Sequence, residues 1–151
     1  MLKIIATTAV AFMLAITPVS ARYVISNDNG GSVQPYEDLY DALNQSGGYI
    51  KITGECISAC TLIIPFVNKD HVCVDKQSFF GFHSVKDVNP QTKESKHSPE
   101  GTRYMWQLYP AWVQDLLKDR GWDGKDGAEH SELIIFPGTM FYEECGPGQE
   151  V

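Results

Sequence analysis

The chain has 151 residues, of which 43% are hydrophobic, 21% charged and 11% aromatic, with 12 basic and 19 acidic side chains. This composition excludes the disordered, collagenous and coiled-coil classes, and the length favours one domain. The acidic balance excludes a broad nucleic-acid-binding face, because phosphate contacts need a surplus of Lys and Arg. Nucleic acid is therefore not an expected partner.

The first 21 residues have the three parts of a secretory signal peptide. Lys3 provides a positive start, residues 4–16 are apolar apart from two threonines, and residues 19–21 are small or compact before the expected cleavage point. The apolar run is too short to cross a bilayer comfortably as a helix, and an uncleaved anchor is the alternative. We therefore expect residues 1–21 to be removed and residues 22–151 to form one exported domain without a stable membrane span.

The exported part contains all four cysteines of the chain. In an oxidising compartment an even number of cysteines predicts disulfides, here with three pairings that the sequence does not distinguish. A zinc site is the alternative, although Cys-x3-Cys without a close pair of histidines fits zinc poorly. We expect disulfides, and neither a metal nor a cofactor. The candidate disulfide residues are Cys56, Cys60, Cys73 and Cys145.

The first half of the exported part alternates between strand and helix patterns. Apolar residues at helical spacing predict a helix over residues 35–45. A short buried helix is predicted over residues 58–64, ended by Pro65. Strands rich in β-branched and aromatic residues are predicted over 23–26, 49–53, 72–74 and 79–83. This order predicts an α/β fold with a mainly parallel sheet and right-handed crossover helices.

The second half begins with polar residues 84–99, which predict an exposed loop. Residues 100–120 then form a long C-terminal helical segment, with apolar side chains on one broad face. Pro110 lies inside this segment, so we expect a kink or two successive helices. Short strands are predicted over 133–136 and 140–142.

Three features along the chain could act together in catalysis. Gly30 and Gly31 follow a strand, where they can turn backbone N–H groups toward an oxyanion. Ser58 begins the short helix, where the helix field and the Ala59 N–H can stabilise an anion. His83 ends a strand, where its imidazole can accept the serine proton. Taken singly these residues are an ordinary turn, a helix cap and a core histidine, so the prediction rests on their joint order.

These features and their neighbours resemble the core of the Clp protease proteolytic subunit, within the Clp protease/crotonase-like superfamily. The resemblance covers roughly residues 23–85, about half of the exported part. Cys-x-Ser-Ala-Cys and Gly-Phe-His-Ser are also similar to small exported bacterial proteins of that superfamily. The matching segments are 27–33, 54–60, 72–74 and 81–84.

The resemblance implies a shortened Clp protease/crotonase-like fold and an exported serine hydrolase, peptidase-like, located in the bacterial periplasm or secreted. Ser58 matches the family's nucleophile, His83 its general base, and Gly30 and Gly31 its oxyanion loop, completed here by Ala59. A peptide or ester is the implied substrate. The long helix mediates assembly in the Clp-like family, so the resemblance also allows a homo-oligomer.

The third, acidic member of the family's triad has no matching motif in this chain. Glu132 has the best spacing from His83, and the other candidates by position are Asp123, Asp126 and Glu129. A Ser-His dyad without an acid loses the orientation of its imidazole. The alternative function is therefore a catalytically inactive binding or cell-envelope accessory protein on the same fold. A crotonase-like acyl-CoA enzyme is disfavoured, because export removes the protein from the CoA pool.

Overall fold

A computed structural model describes residues 22–147, so the predicted signal peptide lies outside the described residues. Within that range the fold is mixed α/β, with four α-helices. The strands are β1 (Arg22–Ile25), β2 (Tyr49–Ile52), β3 (Glu55–Ile57), β4 (Val72–Val74), β5 (Phe79–Phe82), β6 (Lys86–Val88), β7 (Ser95–His97) and β8 (Ile134–Pro137). The helices are α1 (Val33–Ser46), α2 (Ile63–Phe66), α3 (Pro99–Leu108) and α4 (Ala111–Asp119). Short 3-10 helices cover Ser58–Leu62, Lys69–His71 and Gly138–Met140.

The longer strands form two three-stranded sheets rather than the single sheet that we expected. The first sheet has the order β1-β2-β4 and is entirely parallel, which confirms the predicted strand direction. In the second sheet β3 pairs parallel with β5, and β8 pairs antiparallel with β5. The chain leaves the first sheet for the second at Gly54, where a Cβ atom would overlap the Asn27 side chain. The strand β3 was missed because a three-residue strand has too little periodicity to detect.

Helix α1 begins two residues before the predicted start, so Pro35 lies inside its first turn. Proline is tolerated there because the first N–H groups of a helix have no intrahelical acceptor. The helix ends at Gly47, which has φ of +65°. The N–H groups of Gly47 and Gly48 donate to the carbonyls of Asn44 and Leu43, and so cap the last turn.

The long C-terminal helical segment consists of two successive helices, α3 and α4, which is one of the two outcomes expected from Pro110. Tyr109 between them has φ of −69° and ψ of 136°, the extended backbone favoured before a proline. The Gln114 side-chain amide donates to the carbonyls of Trp106 and Tyr109, at 3.0 Å each. The Gln114 side chain therefore satisfies the Tyr109 carbonyl, which the break at Pro110 would leave free, and gives a second donor to the Trp106 carbonyl, which also accepts from the Tyr109 N–H at 3.2 Å.

Three local predictions are wrong. Residues 84–99 are mostly exposed, although Ser84 and Ser98 are buried, and they contain the antiparallel hairpin of β6 and β7 rather than a loop alone. Residues 140–142 are not a strand, because Met140 ends a 3-10 helix and Tyr142 is buried in the core. Pro65 does not end the short helix, which continues to Phe66. The two three-residue strands of the hairpin are too short to give a periodic signal, and an apolar run as short as 140–142 does not distinguish a strand from a turn or a helix.

Strands of both sheets and all four helices contribute to a single cluster of apolar side chains, and β4 and β5 are buried on both of their faces. The largest fully buried members include Tyr40, Phe80, Phe82, Ile50, Ile52, Leu62, Ile63 and Leu117. The cluster packs the carboxyl ends of β3 and β5 firmly in place, which fixes where the chain emerges from each strand.

The four cysteines form two disulfides, Cys56–Cys60 and Cys73–Cys145, which confirms the prediction of disulfides and chooses one pairing. None of them is left as a free thiolate for zinc. Disulfides of this kind are typical of proteins outside the cytoplasm. Over residues 22–147, no helix is long and apolar enough to cross a membrane.

Candidate active site

Ser58 and His83 emerge from the carboxyl ends of two neighbouring strands. β3 and β5 are parallel, with Ile57 opposite Gly81, so both strands end at the same edge of the sheet. Ser58 directly follows β3, and His83 directly follows β5. Both side chains are partly buried and line the same open cleft, of about 1080 Å³. Gly30 and Gly31 also line this cleft.

Ser58 occupies a sharp turn between a strand and a 3-10 helix, with φ of +57°. Non-glycine residues seldom adopt this left-handed conformation, and hydrolases use such a turn to expose a nucleophile. The surrounding backbone is held by three contacts. The Cys56–Cys60 disulfide brackets the turn, Thr61 Oγ1 donates to the Ser58 carbonyl at 2.6 Å, and the Tyr40 hydroxyl donates to the Cys60 carbonyl at 2.9 Å.

The Ser58 hydroxyl has no hydrogen-bond partner among the described residues, and none joins it to His83. The two side chains therefore line one cleft without a hydrogen bond between them. Catalytic hydrogen bonds are often long or unmade in ligand-free proteins and tighten when substrate binds.

The fold fixes the ring of His83 through a backbone carbonyl. His83 Nδ1 lies 2.7 Å from the Ser84 carbonyl oxygen, which can only accept, so the proton of the neutral ring is on Nδ1. The Nε2 atom is then free to accept a proton. Ser84 is itself fully buried, and its N–H and Oγ donate to the His130 carbonyl at 3.0 Å and 3.1 Å.

None of the four candidate carboxylates forms a hydrogen bond with His83 in the part of the chain that the structure describes. The Glu132 side chain is exposed, and its backbone carbonyl accepts from His130 Nδ1 at 2.9 Å. Asp123 accepts from the Lys125 N–H at 3.0 Å instead. Sequence spacing sets how far an acid lies along the chain, but the path of the loop decides where its carboxylate points.

The two glycines have different roles in the backbone. Gly30 has φ of +78°, and a Cβ atom there would lie 2.5 Å from the Ile57 carbonyl oxygen and 2.8 Å from Ser58 Cβ. Its N–H donates to Asp28 Oδ1 at 2.8 Å, so it is not free for an oxyanion. Gly31 is exposed in the cleft, and its N–H has no acceptor among residues 22–147.

Ala59 completes the set of candidate oxyanion donors. It lies in the first turn of the 3-10 helix, where an N–H group has no acceptor within the helix. The candidate oxyanion donors without an acceptor among residues 22–147 are therefore the N–H groups of Gly31, which lines the cleft, and of Ala59, which is fully buried directly after Ser58.

Several cleft residues have no counterpart in the sequence predictions. The hairpin contributes Lys86 and Asp87, and α3 contributes Glu100, Arg103 and Tyr104. Charges of both signs thus line the cleft that Ser58 also lines. The sequence did not indicate these residues. The pattern of a polar loop or an amphipathic helix shows which side chains are exposed, and not which cleft they line.

Among residues 22–147, no group of three or more His, Cys, Asp and Glu side chains could hold a metal ion. Comparison of the chain with models of known protein families finds no match. Comparison with curated proteins finds no match either.

Proposed function

We propose that this chain is an exported serine hydrolase of peptidase-like type, related to the Clp protease/crotonase-like superfamily, with Ser58 as nucleophile and His83 as general base. The observation that carries the proposal is the shared cleft, which both side chains enter from the carboxyl ends of paired strands. The left-handed turn at Ser58 adds support, because strained backbone conformations concentrate at functional sites. The two disulfides are in keeping with a periplasmic or secreted location.

In the proposed reaction His83 Nε2 removes the proton of the Ser58 hydroxyl as the oxygen attacks a peptide or ester carbonyl. The N–H groups of Gly31 and Ala59 bind the negative oxygen of the tetrahedral intermediate. The imidazolium then returns the proton to the leaving amine or alcohol, which leaves an acyl group on Ser58. Water, deprotonated by His83, releases the acid and restores both side chains.

The Ser84 carbonyl takes part of the role that an acid has in a full triad. It holds the proton on Nδ1 of His83, at 2.7 Å, and so selects the ring tautomer that a general base needs. A neutral carbonyl balances the imidazolium charge less well than a carboxylate does. We therefore expect slower turnover than in an enzyme with a complete triad.

The cleft suits a peptide better than a small ester. Its volume of about 1080 Å³ is slightly above the range of about 300–1,000 Å³ typical of small-molecule sites, which is enough for several residues. Lys86 and Arg103 on its wall stand among Asp87 and Glu100, so the cleft offers partners for charges of either sign.

The second candidate is a catalytically inactive binding or cell-envelope accessory protein on the same fold. Two observations favour it: no hydrogen bond joins Ser58 to His83 among the described residues, and no carboxylate contacts Nδ1. In that case the cleft would bind its ligand without changing it.

Reaction with a fluorophosphonate probe distinguishes the two candidates. The purified, disulfide-bonded wild type should be labelled, Ser58→Ala should not, and His83→Gln should be labelled much more slowly. Ser46→Ala, which changes an exposed serine at the end of α1, is the matched control and should be labelled like the wild type. Equal labelling of wild type and Ser58→Ala would overturn the mechanism, and no labelling of folded wild type would favour the binding protein.

A further inference from the structure

Asp28 lies in the loop between β1 and α1, and its backbone is attached to the strand that leads to Ser58. Its N–H donates to the Glu55 carbonyl at 2.8 Å, and its carbonyl accepts from the Ile57 N–H at 2.8 Å. Ile57 is the residue directly before Ser58. The loop therefore has a fixed attachment point beside the candidate nucleophile.

The Asp28 side chain joins both ends of the diglycine segment. Its Oδ1 atom accepts from the Gly30 N–H at 2.8 Å and from the Tyr36 hydroxyl at 2.6 Å. Hydrogen bonds to a carboxylate are about twice as strong as those between neutral groups. Tyr36 belongs to α1, so the carboxylate holds the loop to the helix that follows it. Burial, and then the hydrogen bond to Asp28, raise the pKa of Tyr36, which keeps its hydroxyl protonated as a donor.

Gly30 contacts both Asp28 and the serine turn. It packs so closely on that turn that a Cβ atom would lie 2.9 Å from the Ala59 nitrogen. Gly31, whose N–H is unoccupied among the described residues, is the next residue of the chain. A small shift of Gly30 would therefore move the Gly31 N–H relative to Ser58 and to Ala59.

We propose that Asp28 is a positioning residue, which holds Gly30 against the serine turn so that the Gly31 N–H lies beside the Ala59 N–H. The proposal rests on the proposed function, because the diglycine segment has an oxyanion to bind only if Ser58 reacts. Asp28 acts through Gly30, with its own carboxylate occupied by two donors within the protein. Displacing such a loop by about 1 Å can cost about 100-fold in rate.

The test separates the rate of reaction from the binding of the probe. For Asp28→Ala we expect kinact of fluorophosphonate labelling to fall by about 10- to 100-fold with KI unchanged. Asp28→Asn keeps an acceptor oxygen for the Gly30 N–H and should recover most of that loss. Asp75→Ala is the matched control, because Asp75 is a partly buried carboxylate that pairs with Lys51 at 3.3 Å. Its kinact should equal that of the wild type.

Amide hydrogen exchange measured by NMR gives a second readout that needs no activity. The Gly30 N–H should exchange slowly in the wild type and in Asp28→Asn, and fast in Asp28→Ala. If Asp28→Ala does not fold, Tyr36→Phe removes the second donor to the carboxylate and should lower kinact by a smaller factor.

Wild-type kinact in folded Asp28→Ala, or an unchanged Gly30 exchange rate, overturns the positioning role. Failure of the proposed function looks different, because the wild type itself is then not labelled. In that event the exchange comparison still decides whether Asp28 holds the diglycine segment.

Discussion

At the level of single residues, backbone conformation shapes this site as much as side-chain chemistry does. Ser58 and Gly30 both have positive φ, at +57° and +78°, and they pack against each other. The sequence predicted Gly30 as an oxyanion donor, but the structure uses its N–H for Asp28 and its missing side chain for close packing. The residue types therefore indicated that the glycine loop and the serine turn are important. The contact between them decided that Gly30 serves for close packing and not as an oxyanion donor.

Replacing Gly30 by alanine tests this close packing. The new Cβ would overlap the Ile57 carbonyl oxygen, Ser58 Cβ and the Ala59 nitrogen, and alanine disfavours φ of +78°. We expect Gly30→Ala to lower the free energy of unfolding by about 2 kcal/mol, as measured by urea denaturation. The remaining folded protein should react with the fluorophosphonate probe more slowly, because the serine turn must shift.

Gly31→Ala is the matched control for stability. A Cβ atom at Gly31 would meet only the Tyr36 ring, at 3.7 Å, which is an ordinary van der Waals contact. Its free energy of unfolding should stay within about 0.5 kcal/mol of the wild type. Equal destabilisation by the two substitutions would mean that the tight fit of Gly30 is not what constrains the loop.

At the level of elements, the two disulfides close loops of very different lengths. Cys56–Cys60 joins residues four apart across the serine turn, whereas Cys73–Cys145 joins β4 to the C-terminal segment, 72 residues away. A disulfide stabilises mainly by restricting the unfolded chain, and the effect grows with loop length. The short loop is thus the minor contributor to stability and the major constraint on Ser58.

Removing Cys73–Cys145 should therefore lower stability more than removing Cys56–Cys60 does. Removing Cys56–Cys60 should lower the reactivity of Ser58 more. We expect Cys73→Ala/Cys145→Ala to lower the free energy of unfolding by about 4 kcal/mol, and Cys56→Ala/Cys60→Ala by about 2 kcal/mol. Labelling of folded protein should fall about tenfold or more only in the second variant, whose serine turn is released. Urea denaturation and labelling rates measure the two quantities. The same order in both would show that the short disulfide has no special effect on Ser58.

Element types were largely predictable, whereas their assembly was not. The strands at 49–53 and 72–74 and the helix at 35–45 were found from apolar periodicity, and each is present within a few residues. The sequence did not reveal that β2 and β3 belong to different sheets, or that β6 and β7 form one wall of the cleft. Periodicity reports which face of an element is buried and not which neighbour covers it.

At the level of the whole molecule, three buried tyrosines make the free energy of unfolding depend on pH in the alkaline range. Burial raises the pKa of Tyr40, Tyr109 and Tyr142 above the ordinary value of 10.0. The unfolded chain releases these protons near pH 10, while the folded protein retains them. Above that pH the folded state binds more protons than the unfolded state, so stability falls as pH rises. Below pH 10 these tyrosines should cause no pH dependence.

Tyr142→Phe isolates one of these groups. The Tyr142 hydroxyl is buried without a hydrogen-bond partner among residues 22–147, so its removal should not destabilise the protein at pH 7. Above pH 10 the free energy of unfolding should fall less steeply than in the wild type, by about 1.4 kcal/mol per pH unit. Urea denaturation between pH 8 and about pH 11 measures the slopes. Identical slopes in the two proteins would contradict the link between Tyr142 burial and alkaline stability.

The sequence by itself determined the alternation of strands and helices, the break at Pro110, the presence of disulfides and the segments around Ser58 and His83, because each of these is a local property of residue type and spacing. Only the tertiary structure decided the cysteine pairing, the division into two sheets, the Ser84 carbonyl as partner of His83, and the attachment of Gly30 to Asp28. These depend on contacts between chain segments, and the packing of the whole core selects them.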